Sequence, residues 1–110
     1  MKVNENMEKR TFERHDLEAR IVCAYFNTNK YTQAKLLNYC EGGLCFESDI
    51  AFKPNASIYI RIEELSLKAS ESSLHDGFRT TTIGEVKWCK AISVPEFYKF
   101  GVGVKYYELY

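Results

Sequence analysis

The sequence has no excess of either charge: Lys+Arg and Asp+Glu are each 15, and the formal net charge is zero. A general nucleic-acid binder tracks its polyanion with a surplus of Lys and Arg. That class is therefore not expected, and any anion must be held by a local cluster. Long apolar runs are missing too. The longest, Ile21-Val22-Cys23-Ala24-Tyr25-Phe26, falls far short of the roughly 20 residues a membrane helix needs. Residues 1–16 contain no apolar stretch of the kind a signal peptide requires. The expected setting is the cytoplasm, with no membrane insertion. Among the four cysteines, Cys23, Cys40, Cys45 and Cys89, no pair has C-x-x-C spacing, so the common zinc and redox motifs do not apply. No metal or cofactor is expected. Cys23, Cys45 and Cys89 lie in apolar runs and read as small buried hydrophobes of a reducing compartment.

What is present is enough apolar residue, 45% of 110 positions, for one hydrophobic core and a single domain. Residues 1–16 are half charged and read as a flexible N-terminal arm. Residues 17–26 are rich in β-branched and aromatic side chains and predict a strand. Asn27-Thr28-Asn29-Lys30 is a turn signal, followed by a second strand over 31–38. Glu41-Gly42-Gly43 predicts a tight turn before a third strand, 44–48. Phe52-Lys53-Pro54-Asn55 marks another turn. Strict alternation over 57–63 puts Ile58, Ile60 and Ile62 on one face of a fourth strand. The serine-rich stretch 64–77 predicts a long surface loop, 78–89 a fifth strand, and 91–99, with Pro95, a connection. Residues 100–107 form the sixth strand, with Val102, Val104 and Tyr106 sharing a face. Six strands without a strong helix signal predict an all-β, six-stranded antiparallel barrel over 17–110, closed because closure removes exposed edges.

Two short patterns carry binding chemistry. Lys9-Arg10-Thr11-Phe12-Glu13-Arg14 spaces two guanidiniums as Arg-x-x-x-Arg. Each offers a planar fork of donors suited to a phosphate or to the O6/N7 edge of guanine. Asn38-Tyr39-Cys40-Glu41-Gly42-Gly43 falls at a strand-turn-strand junction. There Asn38 supplies both a donor and an acceptor, and the glycines let backbone amides approach an anion closely. Taken singly, each pattern is also what a solvated arm and an ordinary hairpin turn look like.

Their order and separation resemble the PilZ family, whose pattern is Arg-x-x-x-Arg before the first strand and Asp/Asn-x-Ser-x-x-Gly between the second and third. Gly84-Glu85-Val86-Lys87-Trp88 and Phe100-Gly101-Val102-Gly103-Val104-Lys105-Tyr106 resemble that family's last two strands, so the likeness runs from Lys9 to about Tyr107. The resemblance implies a PilZ-like barrel that acts as a stand-alone receptor for cyclic di-GMP and is not an enzyme. Arg10 and Arg14, aided by Lys9, would grip guanine edges and phosphates. Asn38 and Cys40 would hydrogen-bond the ligand, Gly43 would shape the turn, and Trp88 would lie near a base. Ligand binding would order the arm and signal to an effector protein.

Two departures from the family pattern stand out. Cys40 occupies the usual serine position, and a thiol is the weaker hydrogen-bonding group. One good bond lost costs on the order of 1 kcal/mol, a several-fold drop in affinity. The helix that often follows the last strand in the family is short or missing, since Glu108-Leu109-Tyr110 is all that remains. Tyr106, Tyr107 and Tyr110 are then expected to leave an aromatic patch that supports a homodimer. Both departures motivate the alternative of a degenerate adaptor working by protein contact without the ligand. A thiol enzyme built on Cys40, with His15 as base, and a barrel for single-stranded nucleic acid are the readings from other classes.

Overall fold

The computed structural model describes residues 14–65, 78–94 and 97–107, with backbone alone at 93, 94, 97 and 98. The described residues are all-β. The strands are β1 (His15–Tyr25), β2 (Thr32–Cys40), β3 (Gly43–Ser48), β4 (Ser57–Leu65), β5 (Thr81–Val94) and β6 (Phe97–Tyr106). They close in the order β1-β2-β3-β6-β5-β4, with every neighbouring pair antiparallel. The six-stranded closed barrel expected from the sequence is the fold.

Alternation decides what fills it. Ile21 and Cys23 on β1, Leu36 on β2, Phe46 on β3, Ile58 and Ile60 on β4, Val86 on β5 and Val102 on β6 are all buried almost completely. The interior of a barrel this small is occupied by side chains, so a ligand has to bind outside it. Phe52 packs at one mouth, edge-on to Phe46 at 5.6 Å and tilted against Tyr25 at 5.4 Å. Tyr39 and Phe78 meet edge-on at 5.7 Å at the other mouth, with His15 tilted against Tyr39 at 5.4 Å. The two expected turns hold Asn27 and Asn55 in left-handed backbone, with φ of 71° and 75°. Asn tolerates this region better than most residues.

Several expectations are corrected. The stretch 91–99 is strand for most of its length. Ala91, Ile92, Ser93 and Val94 pair with Phe100, Lys99, Tyr98 and Phe97, leaving only residues 95–96 between β5 and β6. A proline beside a hairpin link reads like a longer connection, because proline is excluded only from the ladder itself. β1 begins at His15, inside the residues expected to be arm, and β5 begins at Thr81, three residues later than expected. Cys23 is fully buried, but Cys45 and Cys89 are half-buried. Tyr106 is only 4% exposed, under the Arg79 guanidinium 4.2 Å from its ring centroid. It therefore contributes nothing to an aromatic surface, while Tyr107 is exposed and Tyr110 lies outside the described residues.

Two outcomes follow from this packing. Phe46→Ala should lower unfolding free energy by about 3–5 kcal/mol in chemical denaturation, the cost of a large aromatic cavity in a closed core. Burial pushes the Tyr106 hydroxyl up to about 12, against the opposing pull of Arg79, whereas an unfolded phenol titrates near about 10. A raised pKa means that stability from this group is complete below about pH 10 and is lost as pH climbs towards 12. Thermal melts of Tyr106→Phe should show a shallower alkaline decline than the parent; an equal decline would remove Tyr106 as the cause.

Candidate functional site

The site is made by two breaks in alternation. On β2, Leu36 faces Phe46 and Asn38 faces Cys45, so β2 advances two residues while β3 advances one. This β-bulge resets the parity of the strand. Leu36 and Tyr39 both point inward and are buried, and Asn38 and Cys40 turn to the outer face, half-buried. A second bulge lies on β5, where Val86 faces Val104 and Trp88 faces Gly103. Val86 stays in the core, and Lys87 and Trp88 are placed outside. Bulges commonly re-aim side chains beside functional sites.

The registers then line up one row across four strands. Asn38 is opposite Cys45, Cys45 opposite Gly103, and Gly103 opposite Trp88. A neighbouring row runs from Cys40 through Gly43 and Lys105 to Glu85. Over these rows lies an open groove of about 470 Å³, lined by Arg14, Asn38, Cys40, Gly43, Cys45, Lys87, Trp88, Gly103 and Lys105 among others. The volume lies within the range of small-molecule sites. Five residues singled out from the sequence, Arg14, Asn38, Cys40, Gly43 and Trp88, therefore meet in one groove. Lys9 and Arg10 lie outside the described residues.

Glycine makes the floor. A Cβ on Gly103 would stand 2.2 Å from Trp88 Nε1 and 2.3 Å from its Cε2, so the indole lies directly on the backbone there. Gly101 is beside it, where a Cβ would be 3.5 Å from Trp88 Cζ3. Trp88 remains 37% exposed, with Lys90 Nζ 5.7 Å from its ring centroid. A Cβ on Gly43 would meet the Val104 carbonyl oxygen at 2.0 Å, so only glycine lets the β2–β3 turn sit this close to β6.

The groove is cationic. Arg14, Lys87 and Lys105 line it, and no carboxylate does so among the described residues. Lys87 has Glu85 at 3.8 Å, but Arg14 and Lys105 form no ion pair among the described residues. A second groove, of about 520 Å³, contains more charged groups but neutralises them internally: Arg20 pairs with Glu64, Lys35 with Glu18 at 3.7 Å and Lys99 with Asp49 at 2.8 Å. Lys87 and Lys105 were not among the residues expected from the sequence. The signal for Lys105 was available, because it alternates with the inward Val104 and Tyr106. That of Lys87 was hidden by the bulge.

No protein-family model matches the chain, and no curated protein matches it. The reading of the groove therefore rests on its geometry and on the sequence pattern.

Trp88 is the only tryptophan and reports on the floor directly. Gly103→Ala should lift the indole, giving red-shifted emission and stronger acrylamide quenching, with a stability loss of about 1–3 kcal/mol from overpacking. Unchanged emission would mean that the ring does not rest on residue 103.

Proposed function

We propose that this chain is a PilZ-type receptor for cyclic di-GMP, which binds in the groove over β2, β3, β6 and β5. The observation that carries the reading is the convergence of Arg14, Asn38, Cys40, Gly43 and Trp88. These residues come from three separated stretches of sequence: Arg14 and the Asn38–Gly43 turn were singled out by their patterns, and Trp88 by the PilZ resemblance. The chemistry of the lining suits a ligand with two phosphodiesters and two guanines. Arg14, Lys87 and Lys105 supply positive charge for phosphate, Arg14 with the planar fork that also fits the O6/N7 edge of guanine. Asn38 donates and accepts at a base edge, and the exposed part of the Trp88 indole, with Lys90 Nζ 5.7 Å from its centroid, gives a base a surface to stack on. Cys40 at the turn is a weak partner and lowers affinity without removing the site. Bound ligand would draw Lys9 and Arg10 onto the groove to add a second guanidinium. The altered surface would then be read by an effector protein.

A second reading, contact with an effector protein without any ligand, is favoured by one feature. An apolar groove of about 500 Å³ lined by Phe26, Tyr59, Ile83 and Tyr107 lies elsewhere on the barrel, with Phe26 half exposed.

Calorimetric titration with cyclic di-GMP, using cyclic di-AMP and GTP as controls, decides between them. Saturable binding of cyclic di-GMP alone is expected, accompanied by a change in Trp88 emission. Arg14→Ala and Arg10→Ala should each lose at least about tenfold in affinity, the cost of a charge-assisted hydrogen bond, with melting temperature unchanged. Lys105→Ala should lose less and should flatten the salt dependence, as expected for a phosphate contact. Absence of heat at high ligand concentration, or unaltered affinity in both arginine variants, would overturn the receptor reading.

A further inference from the structure

The four thiols occupy three distinct chemical situations. Cys23 is buried in the core, donates to the Thr32 carbonyl at 3.7 Å, and is pushed up to about 12 by burial. Cys89 packs against the core, and its sulfur accepts from the Phe52 backbone N–H at 3.5 Å. Cys45 is on the outer face of β3, half-buried in the groove floor. Cys40 shares that floor from β2.

The register makes Cys40 and Cys45 diagonal neighbours. Cys40 is opposite Gly43, and Cys45 is two residues further along the same face, opposite Asn38. Diagonal positions in an antiparallel pair are about 7–8 Å apart at Cα and closer at Cβ, while a disulfide prefers Cβ atoms about 3.8 Å apart. Closing that gap requires the hairpin backbone to move, since Cα atoms more than about 7 Å apart cannot be bridged as they stand. The hairpin can close it where it is most compliant, between the two-residue Glu41-Gly42 turn and the bulge at Leu37. Gly43, opposite Cys40, carries no side chain on that face.

We propose that Cys40 and Cys45 are a reversible dithiol, oxidised by a hydroperoxide to a disulfide across the β2–β3 hairpin that reshapes the groove floor. Its consequence for cyclic di-GMP rests on the function proposed above; the bridge itself does not. With hydrogen peroxide, the Cys40 thiolate attacks one peroxide oxygen. The S–O bond forms, the O–O bond breaks, and the departing hydroxide takes up the proton Cys40 released. Cys45 then attacks the sulfenic sulfur. The S–S bond forms, the S–O bond breaks, and hydroxide leaves as water with the Cys45 proton. The two sulfurs give up two electrons, and the peroxide is reduced to two waters. Burial raises the Cys45 pKa, opposed by the Arg14 charge and reinforced by Cys40. A raised pKa lowers the thiolate fraction, which assigns Cys45 the second, resolving step.

Because Cys40 and Cys45 are offset along paired strands, the bridge slides β2 along β3 beside Asn38 and removes the Cys40 S–H from the groove. It also shifts Cys45, which shares a row with Gly103 and the Trp88 ring.

The test treats the full chain with excess hydrogen peroxide and measures intact mass, peptide maps, Trp88 emission and cyclic di-GMP affinity. The expected result is the loss of two hydrogens, mapped to Cys40–Cys45, with Cys23 and Cys89 unmodified. Trp88 emission should shift, and dithiothreitol should reverse both changes. Cys40→Ser and Cys45→Ala should each abolish the mass loss, and circular dichroism confirms that both variants fold. Oxidation should weaken cyclic di-GMP binding about tenfold. No disulfide, or one involving Cys23 or Cys89, overturns the proposal, as does a Cys40–Cys45 bridge that leaves Trp88 emission unchanged. If the reduced protein fails to bind cyclic di-GMP, the receptor reading falls. The mass and fluorescence results still judge the dithiol.

Discussion

Parity along the strands is the constraint on which the rest depends. A β-strand offers two faces, and a residue reaches the outer one only by its count from the core positions. Leu36 and Tyr39 cannot both point inward in an unbroken strand, yet both are buried. The bulge at Leu37 reconciles them, and in doing so it delivers Asn38 and Cys40 to the surface. The bulge at Lys87 performs the same operation on β5, keeping Val86 inside and sending Trp88 out. The two irregularities flank a single rung, Cys45 opposite Gly103. Without either one, half of the groove lining would point into a core already filled by Phe46, Val86 and Val102.

A filled interior also explains why the groove is built on glycine. With no room inside the barrel, a concave surface has to be carved from the outer face by omitting side chains. Gly43 and Gly103 do this on the same outer face of the β3–β6 ladder, two rungs apart, and the Trp88 ring lies in the space that Gly103 leaves. An aromatic ring laid over a glycine in a strand covers backbone that would otherwise be exposed. The Trp88 residue remains 37% exposed.

Most of the architecture was legible because the signals for it are local. Strand content, the inward set Ile58-Ile60 and Val102-Val104-Tyr106, and the asparagine turns follow from alternation and turn chemistry within a few residues. The errors arose where local signals mislead. Pro95 made a short hairpin link look like a long connection, and the polar residues around 15–16 hid the start of β1. Tyr106 was grouped with its aromatic neighbours for an exposed patch, although its own alternation with Val102 and Val104 placed it inside. At the site, Arg14, Asn38, Cys40 and Gly43 were found by residue pattern and Trp88 by the family resemblance. That they share one groove follows from two bulges and three strand registers, which no short window contains. Lys105 could have been placed on the outer face by its alternation with Val104 and Tyr106, whereas Lys87 was hidden by its bulge; for both, the groove they line appears only once the fold supplies their neighbours.

The two polar grooves show why the arrangement of charges outweighs their number. The groove containing Arg20, Lys35 and Lys99 matches each cation with a carboxylate. An incoming anion there would have to displace a partner already in place and would gain little, since exposed ion pairs are worth only about 0–1 kcal/mol. The groove containing Arg14 and Lys105 has no carboxylate in its lining, and of its cations only Lys87 is paired, with Glu85 at 3.8 Å, so an anion reaching Arg14 and Lys105 displaces no ion-pair partner of theirs among the described residues. With zero net charge overall, that local imbalance has to be balanced by acidic residues elsewhere on the surface. Long-range attraction of polyanions is then weak, while short-range recognition of a small phosphorylated ligand is preserved. A chain of this composition is thus better matched to a compact anion in one groove than to a nucleic-acid strand across its surface.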